Sequence, residues 1–409
     1  MDALERRALT RGVVTFIVVT LIGSTIVWLG GRSEAGSSAP TSATGPSPSV
    51  SAAVPTPEAW LAWVPGGLPS GFGDLVSTVP DVTATTTATA DIAWMTASLD
   101  ANGDGVDQPE PPMMIPMDTT GVDPTFATFL PEPERQLVQN LRPGQGILPE
   151  SEANLRGLGA GATLLFRGGQ KVAIVGTLPD ALMGAYELLV PRDTAVKIGV
   201  TTERYVLFHV KANATLTADD LIPAFADLLP VQTPYPAVEV RAPGDTAYLR
   251  ANDRVMPPLF LKQTFGEFQA HPDTTDPRHI VIEPRWVQDH IQSATLPVLG
   301  SITCNADVLP LLKRAIHAIA ATGAASAITD VGSCFDPVWS VHDPSGPLTP
   351  ADWGVSIELD PSSNPPGEQP TMPKAIVQQM YKVGFGWGGN DAYPQGALFR
   401  YRTVSAARD

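Results

Sequence analysis

"DWGVSIELDPSSNP", Asp352 to Pro365, is the stretch on which the fold class turns. Its first half, Trp353 to Leu359, is a short apolar run and reads as a strand. It is flanked by helical patterns on both sides. Upstream, "NADVLPLLKRAIHAIAATG" (Asn305–Gly323) places Val308, Leu311, Leu312, Ala315, Ile316 and Ile319 on one face, with Gly323 as the stop signal. Downstream, "PKAIVQQMYKVGF" (Pro373–Phe385) has proline at its first turn. Ala375, Ile376, Met380 and Val383 share its apolar face, and Gly384 ends it. Strands interleaved with amphipathic helices make this third of the chain α+β.

Further toward the N-terminus, residues 59–285 read as a mixed α and β region with room for two modules. "TLLFRGGQKVAIVG" (Thr163–Gly176) is two apolar runs around Gly-Gly, a hairpin signal. "YELLVP" (Tyr186–Pro191), "RYVLFHVKA" (Arg204–Ala212) and "AVEVRA" (Ala237–Ala242) are strands. "TADDLIPAFADLL" (Thr217–Leu229) opens on a capping box, Thr217 with Asp220, and carries Leu221, Phe225 and Leu228 on one face. "DANGDGVDQPE" (Asp100–Glu110) imitates the start of a calcium loop with Asp100, Asn102 and Asp104. Pro111 stands where a bidentate acid would close it, so a hairpin turn is the preferred reading.

The remaining N-terminal residues set the compartment. Residues 1–11 form a basic cytoplasmic segment with Arg6, Arg7 and Arg11. Residues 12–31, "GVVTFIVVTLIGSTIVWLGG", carry no charge and are long enough to span a bilayer core of ~30 Å. The excess of arginine before this run keeps the start inside and sends the rest out, as a single-pass, uncleaved anchor rather than a cleaved signal peptide. Residues 32–58 are rich in Ser, Ala, Thr and Pro and read as a flexible tether. The chain of 409 residues has a net charge of −16 and no basic cluster after residue 32, which argues against nucleic acid as a partner. In an exported chain the two cysteines, Cys304 and Cys334, are expected to form a disulfide.

Three pieces of the last third occur together: "LTPADWGVSIELDPSSNP" (Leu348–Pro365), "GFGWGG" (Gly384–Gly389) and "PQGALFRY" (Pro394–Tyr401). In that order, over about residues 286–402, they resemble the zinc D-alanyl-D-alanine carboxypeptidases of bacterial cell walls, the M15 or VanY-like metallopeptidases. The resemblance implies that residues 286–409 form a peptidase-like α+β domain. It places the family's zinc ligands at Ala351, Glu358 and Leu398, its catalytic acid near Gln395 and a substrate-binding arginine near Val338. Only Glu358 retains a ligating atom. Catalytic zinc usually needs three protein ligands to activate its water. The resemblance therefore implies a degenerate, non-catalytic site without a cofactor, with Trp353, Glu358, Phe385 and Trp387 as binding residues. Read from the residues alone, Trp353, Phe385 and Trp387 beside a Gly-rich turn are more often core than groove.

Three functions follow as expectations. The first is a membrane-anchored wall protein that binds peptidoglycan stem peptides or an envelope partner without cutting. The second is an active zinc carboxypeptidase in which His342 joins Glu358 in a rearranged site. The third is an envelope assembly protein working through residues 59–285.

Overall fold

The computed structural model describes residues 58–245, 248–252, 254–340, 343 and 346–402. The basic segment, the apolar run and the tether up to residue 57 lie outside the described residues, as does His342. Chain contacts divide the protein into Met1–Ala52 and Ala53–Asp409, and every described residue belongs to the second unit. Within it, no helix is long and apolar enough to cross a membrane.

Among the described residues ten strands form one sheet. They are β1 (Trp60–Trp63), β2 (Val82–Leu99), β3 (Gly105–Asp107), β4 (Ile115–Val122), β5 (Gln145–Pro149), β6 (Thr163–Phe166), β7 (Gln170–Leu178), β8 (Leu188–Pro191), β9 (Glu203–Val210) and β10 (Glu239–Arg241). The order is β10-β1-β9-β2-β4-β8-β5-β7-β6, and β6 pairs back onto β2. That last pairing closes six strands into a small barrel. Inward residues of successive strands, among them Met95, Met117, Leu164, Phe166, Val172 and Leu188, fill it as one cluster. Gly146 is where the filling is tightest: a Cβ there would lie 2.8 Å from Val172 Cγ1 and 2.9 Å from Leu188 Cδ1.

β2 explains how the barrel joins the rest. Its 18 residues, "VTATTTATADIAWMTASL", are rich in β-branched threonine, which suits an extended backbone. The first part pairs with β9 and the last part with β4, β6 and β3. β9, β1 and β10 extend the first part into an antiparallel wing. Alternation along the wing separates two cores. Leu61, Trp63, Tyr205 and Leu207 face one way, and Ala62, Val64, Val206 and Phe208 face the other. Helices Phe72–Val76 and Ala218–Ala226 contribute Phe72, Val76, Leu221 and Phe225 to the second core. The Thr217–Asp220 capping box forms as expected, and so does the hairpin through Gly168 and Gly169.

The C-terminal third packs around helices Leu309–Ala321 and Lys374–Lys382, which bury Leu312, Ile316, Ile319, Ile376 and Met380. Its strands are two hairpins and a three-stranded sheet. The hairpins are β11 (Ala270–Pro272) with β12 (Ile280–Ile282) and β13 (Ile291–Leu296) with β14 (Gly300–Asn305). The sheet is β15 (Ser356–Glu358), β17 (Leu398–Tyr401) and β16 (Phe385–Trp387), in that spatial order. The same core includes Ile92 and Trp94 of β2. The molecule is thus mixed α+β with a sheet-rich centre.

The stretch from Trp353 to Leu359 is only in part a strand. Pro350–Trp353 is a 3-10 turn, Gly354 takes a left-handed φ of 67°, and the strand begins at Ser356. The reversal turns Trp353 into the core. There it is fully buried, its ring lies 4.7 Å from that of Phe268, and its Nε1 donates to the Gly266 carbonyl at 3.0 Å. "DANGDGVDQPE" forms the turn between β2 and β3. The Asp100 carboxylate accepts from the backbone N–H of Asn102 and Asp104, each at 2.8 Å, and these bonds hold it below its ordinary pKa.

Candidate functional site

Glu358 ends β15, directly opposite Leu398 of β17. These two sequence-predicted positions are brought together. Ala351 lies in the preceding 3-10 turn, where its N–H donates to Thr349 Oγ1 at 3.3 Å and its carbonyl accepts from Asp336 N at 3.1 Å. Trp353 and Phe385 are core. Trp387 is half-buried, with Nε1 donating to the Gly396 carbonyl at 2.7 Å. Gln395 N donates to the Gly388 carbonyl at 2.9 Å, and Val338 pairs with His279. Among the described residues no three His, Cys, Asp or Glu side chains converge as a metal site. The described histidines are occupied elsewhere or exposed. His209 stacks on Phe129 and His290 on Trp286, His279 Nδ1 lies 3.0 Å from the Asp276 carboxylate, His271 bonds the Pro272 carbonyl, and His317 faces solvent.

The structure does place a groove beside Glu358, with a volume of about 450 Å³. One wall is β14, with Ser301, Ile302 and Thr303. The other is Val331, Gly332 and Ser333, and Phe335 closes one end. The disulfide between Cys304 and Cys334, with Cα atoms 5.2 Å apart, ties the two walls together. Gly332 is required here because a Cβ would meet the Glu358 carboxylate and its Cβ, the latter at 2.9 Å. Segment 330–332 pairs with β15: Gly332 N donates to the Glu358 carbonyl at 3.0 Å and Asp360 N to the Asp330 carbonyl at 2.8 Å. Burial pushes the Glu358 carboxyl above its ordinary pKa, and the nearby Asp336 and Asp330 add to the rise. The groove therefore offers hydroxyls, backbone amides and an acidic rim.

A second concentration of charge lies between the barrel and helix Pro258–Phe265. Lys262 is fully buried. Its Nζ lies 2.6 Å from Glu187, 2.9 Å from Glu267 and 2.7 Å from the Pro116 carbonyl, to which it donates. Arg156 pairs with Glu152, with Glu267 at 2.5 Å and with Asp107 at 3.1 Å. Asp118 N donates to Glu187 Oε2 at 2.7 Å. Four carboxylates thus face two cations in a site largely closed to water. Burial pushes Glu187 up to about 8 despite the Lys262 charge. Burial also acts on Glu267, but Lys262 and Arg156 outweigh it and hold that carboxyl down at about 2. Mutual pairing makes this cluster a strut rather than a site open to ligand. Sequence reading passed over it, and the signal was a charge inside an apolar run: Glu187 in "YELLVP" and Lys262 in "PLFLKQTF". The groove walls gave no comparable signal, because Ser301, Thr303 and Ser333 read as ordinary surface residues.

No protein-family model matches the chain, and no curated protein does. Several solved structures are similar over part of it. The periplasmic region of MacB from Actinobacillus actinomycetemcomitans is 12% identical over 45% of this chain and 88% of its own, with a TM-score of 0.30. A domain described as part of a permease protein from Porphyromonas gingivalis is 14% identical over 44% of this chain and 87% of its own, at 0.27. The extracellular domain of the noncanonic ABC-type transporter YknZ from Gram-positive bacteria is 14% identical over 45% of this chain and 98% of its own, at 0.28. One is a periplasmic region, one a permease domain and one the extracellular domain of a transporter, and none of the three is a zinc carboxypeptidase. The peptidase resemblance over residues 286–402, and the carboxypeptidase-like wall function inferred from it, are corrected accordingly. Packing accounts for the residues that carried the resemblance. Trp353 anchors the core, and "GFGWGG" is strand β16 running into a tight turn, where a Cβ on Gly388 would lie 2.9 Å from the Gln395 carbonyl.

Proposed function

We propose that the chain is a membrane-anchored, extracytoplasmic docking protein of the cell envelope, holding a partner through its folded unit. The observation that carries this reading is the groove at the disulfide. It is large enough for a polypeptide segment, its walls are fixed to each other by a covalent bond, and its lining is suited to hydrogen bonding. A disulfide persists outside the reducing cytosol, which supports the extracytoplasmic side. The apolar, uncharged run of residues 12–31 supports the anchor.

Two measurements on the full-length chain in intact cells test this. Val231 is fully exposed, so a Val231→Cys variant should react with a membrane-impermeant maleimide before lysis. A photo-crosslinking residue at Ser301 should give a discrete adduct that the same residue at exposed Leu155 does not. Labelling of Val231→Cys only after lysis, or identical adduct patterns at the two sites, would overturn the reading.

A further inference from the structure

The groove is bordered by two strand edges whose outward hydrogen-bonding groups are only partly used. In an antiparallel strand, the N–H and C=O of one residue point to the same side. Along β14 the outward residues can be identified from their bonds. Asn305 N donates to the Gly354 carbonyl at 2.8 Å, and the Thr303 carbonyl accepts from Phe335 N at 3.0 Å. Two residues further back, Ser301 must also point its N–H and C=O away from β13. Among the described residues no backbone group meets either of them, nor Thr303 N. The opposite wall repeats this arrangement. Gly332 N is bound to Glu358 and the Asp330 carbonyl to Asp360, so Val331, which lines the groove, directs its own N–H and C=O away from β15, again without a backbone partner among the described residues. The two edges meet at the Phe335–Thr303 bond and leave the groove between them.

Exposed edges are ordinarily blunted by charge, proline or cover, because they template pairing with another chain. Neither edge facing this groove carries a lysine or a proline, and β14 is the sequence Gly-Ser-Ile-Thr-Cys-Asn. The charged side chains next to these lining residues are acidic. Asp330 precedes the lining residue Val331, Asp336 follows Phe335, and the Glu358 carboxylate lies against Gly332, on a chain of net charge −16. We infer that the groove receives an extended, basic segment of a partner protein, which adds as a strand to the outer edge of β14 while its lysines or arginines meet the rim at Glu358, Asp330 and Asp336. This inference rests on the docking reading and names its site and the chemistry of its partner.

Labelled peptides titrated into the purified full-length chain test it by fluorescence anisotropy. The probes are the capped peptide KTKVKTKV, its acidic counterpart ETEVETEV, and the basic peptide with alternate amides N-methylated. The basic peptide should bind saturably and the acidic one should not. N-methylation removes backbone donors and should weaken binding by at least about tenfold, the worth of two net hydrogen bonds. The outward N–H of Ser301 carries no ladder bond, so Ser301→Pro should produce a similar loss with the β13–β14 pairing intact. Glu358→Gln should weaken the basic peptide by several-fold and flatten its salt dependence. Equal binding of the N-methylated peptide would overturn strand addition, and equal binding of the acidic peptide would overturn the charge selection. Failure of every peptide, with the Ser301 crosslink in cells retained, would overturn this inference alone. Loss of that crosslink as well would remove the docking reading beneath it.

Discussion

Lys262→Met is the perturbation that most directly probes how the interior is held. The side chain is fully buried and faces Glu187 at 2.6 Å, Glu267 at 2.9 Å and the Pro116 carbonyl at 2.7 Å. Methionine fills similar volume but leaves two carboxylates without their shared cation. Removing one partner of a buried pair costs about 3–5 kcal/mol, because the other charge stays desolvated. Arg156 still serves Glu267, so most of the loss falls on Glu187. Above pH 8, where Glu187 is ionised in the parent, Glu187→Gln keeps an acceptor for Asp118 N and removes the stranded charge. The double variant Lys262→Met/Glu187→Gln should therefore recover about 2 kcal/mol relative to Lys262→Met alone. Urea unfolding of the three variants beside the parent at pH 9, followed by tryptophan fluorescence, reads these differences. A cost below about 1 kcal/mol for Lys262→Met, or a double variant no more stable than the single one, would refute the claim that these groups depend on one another.

Stability should also follow pH in a way that identifies the same cluster. Glu187 is raised to about 8, so its stabilising contribution is complete below its unfolded value near 4.5 and is lost as pH rises through 8. Glu267 is lowered to about 2, so its contribution is present above about 4.5 and is lost as pH falls toward 2. Urea midpoints measured across pH should peak between these limbs, and Glu187→Gln should flatten the alkaline limb. Reduction of the Cys304–Cys334 bond, or Cys304→Ala with Cys334→Ala, should cost about 3–4 kcal/mol for a separation of 30 residues, read as a lower urea midpoint. Trp353→Ala should cost about 3–5 kcal/mol in the same assay, as expected for a core ring. An unaltered midpoint would contradict its buried position.

Much of the architecture was legible where local chemistry is strong. The Thr217 capping box, the Gly168-Gly169 hairpin and the helix ending at Ala321 before Gly323 each rest on interactions within a few residues, and each formed. The disulfide was legible for a different reason, since the cysteines are only two. β2 was not read, although its threonines are suited to a strand, because alternating Thr and Ala gives little hydrophobic contrast. Its role depends on β4, β6 and β9, up to 128 residues away at Val82↔Val210. The peptidase resemblance arose through the same blindness to distance. Trp353, Phe385 and Trp387 contributed to it because a short pattern of aromatics and glycines looks alike whether it lines a cleft or packs a core. Burial separates the two, and burial is set by Phe268 and Gly266, which lie far off in the chain. The groove was invisible because its useful groups are backbone atoms, which every sequence possesses.

β1 has a mechanical meaning. The first strand of the folded unit, Trp60–Trp63, is an interior strand, bonded to β9 on one side and β10 on the other. Tension arriving along the polypeptide from Glu58 therefore loads two ladders together, in shear, instead of unzipping an edge one bond at a time. A protein held by its leading end gains from such an attachment, since the point of strain is also among the places hardest to peel.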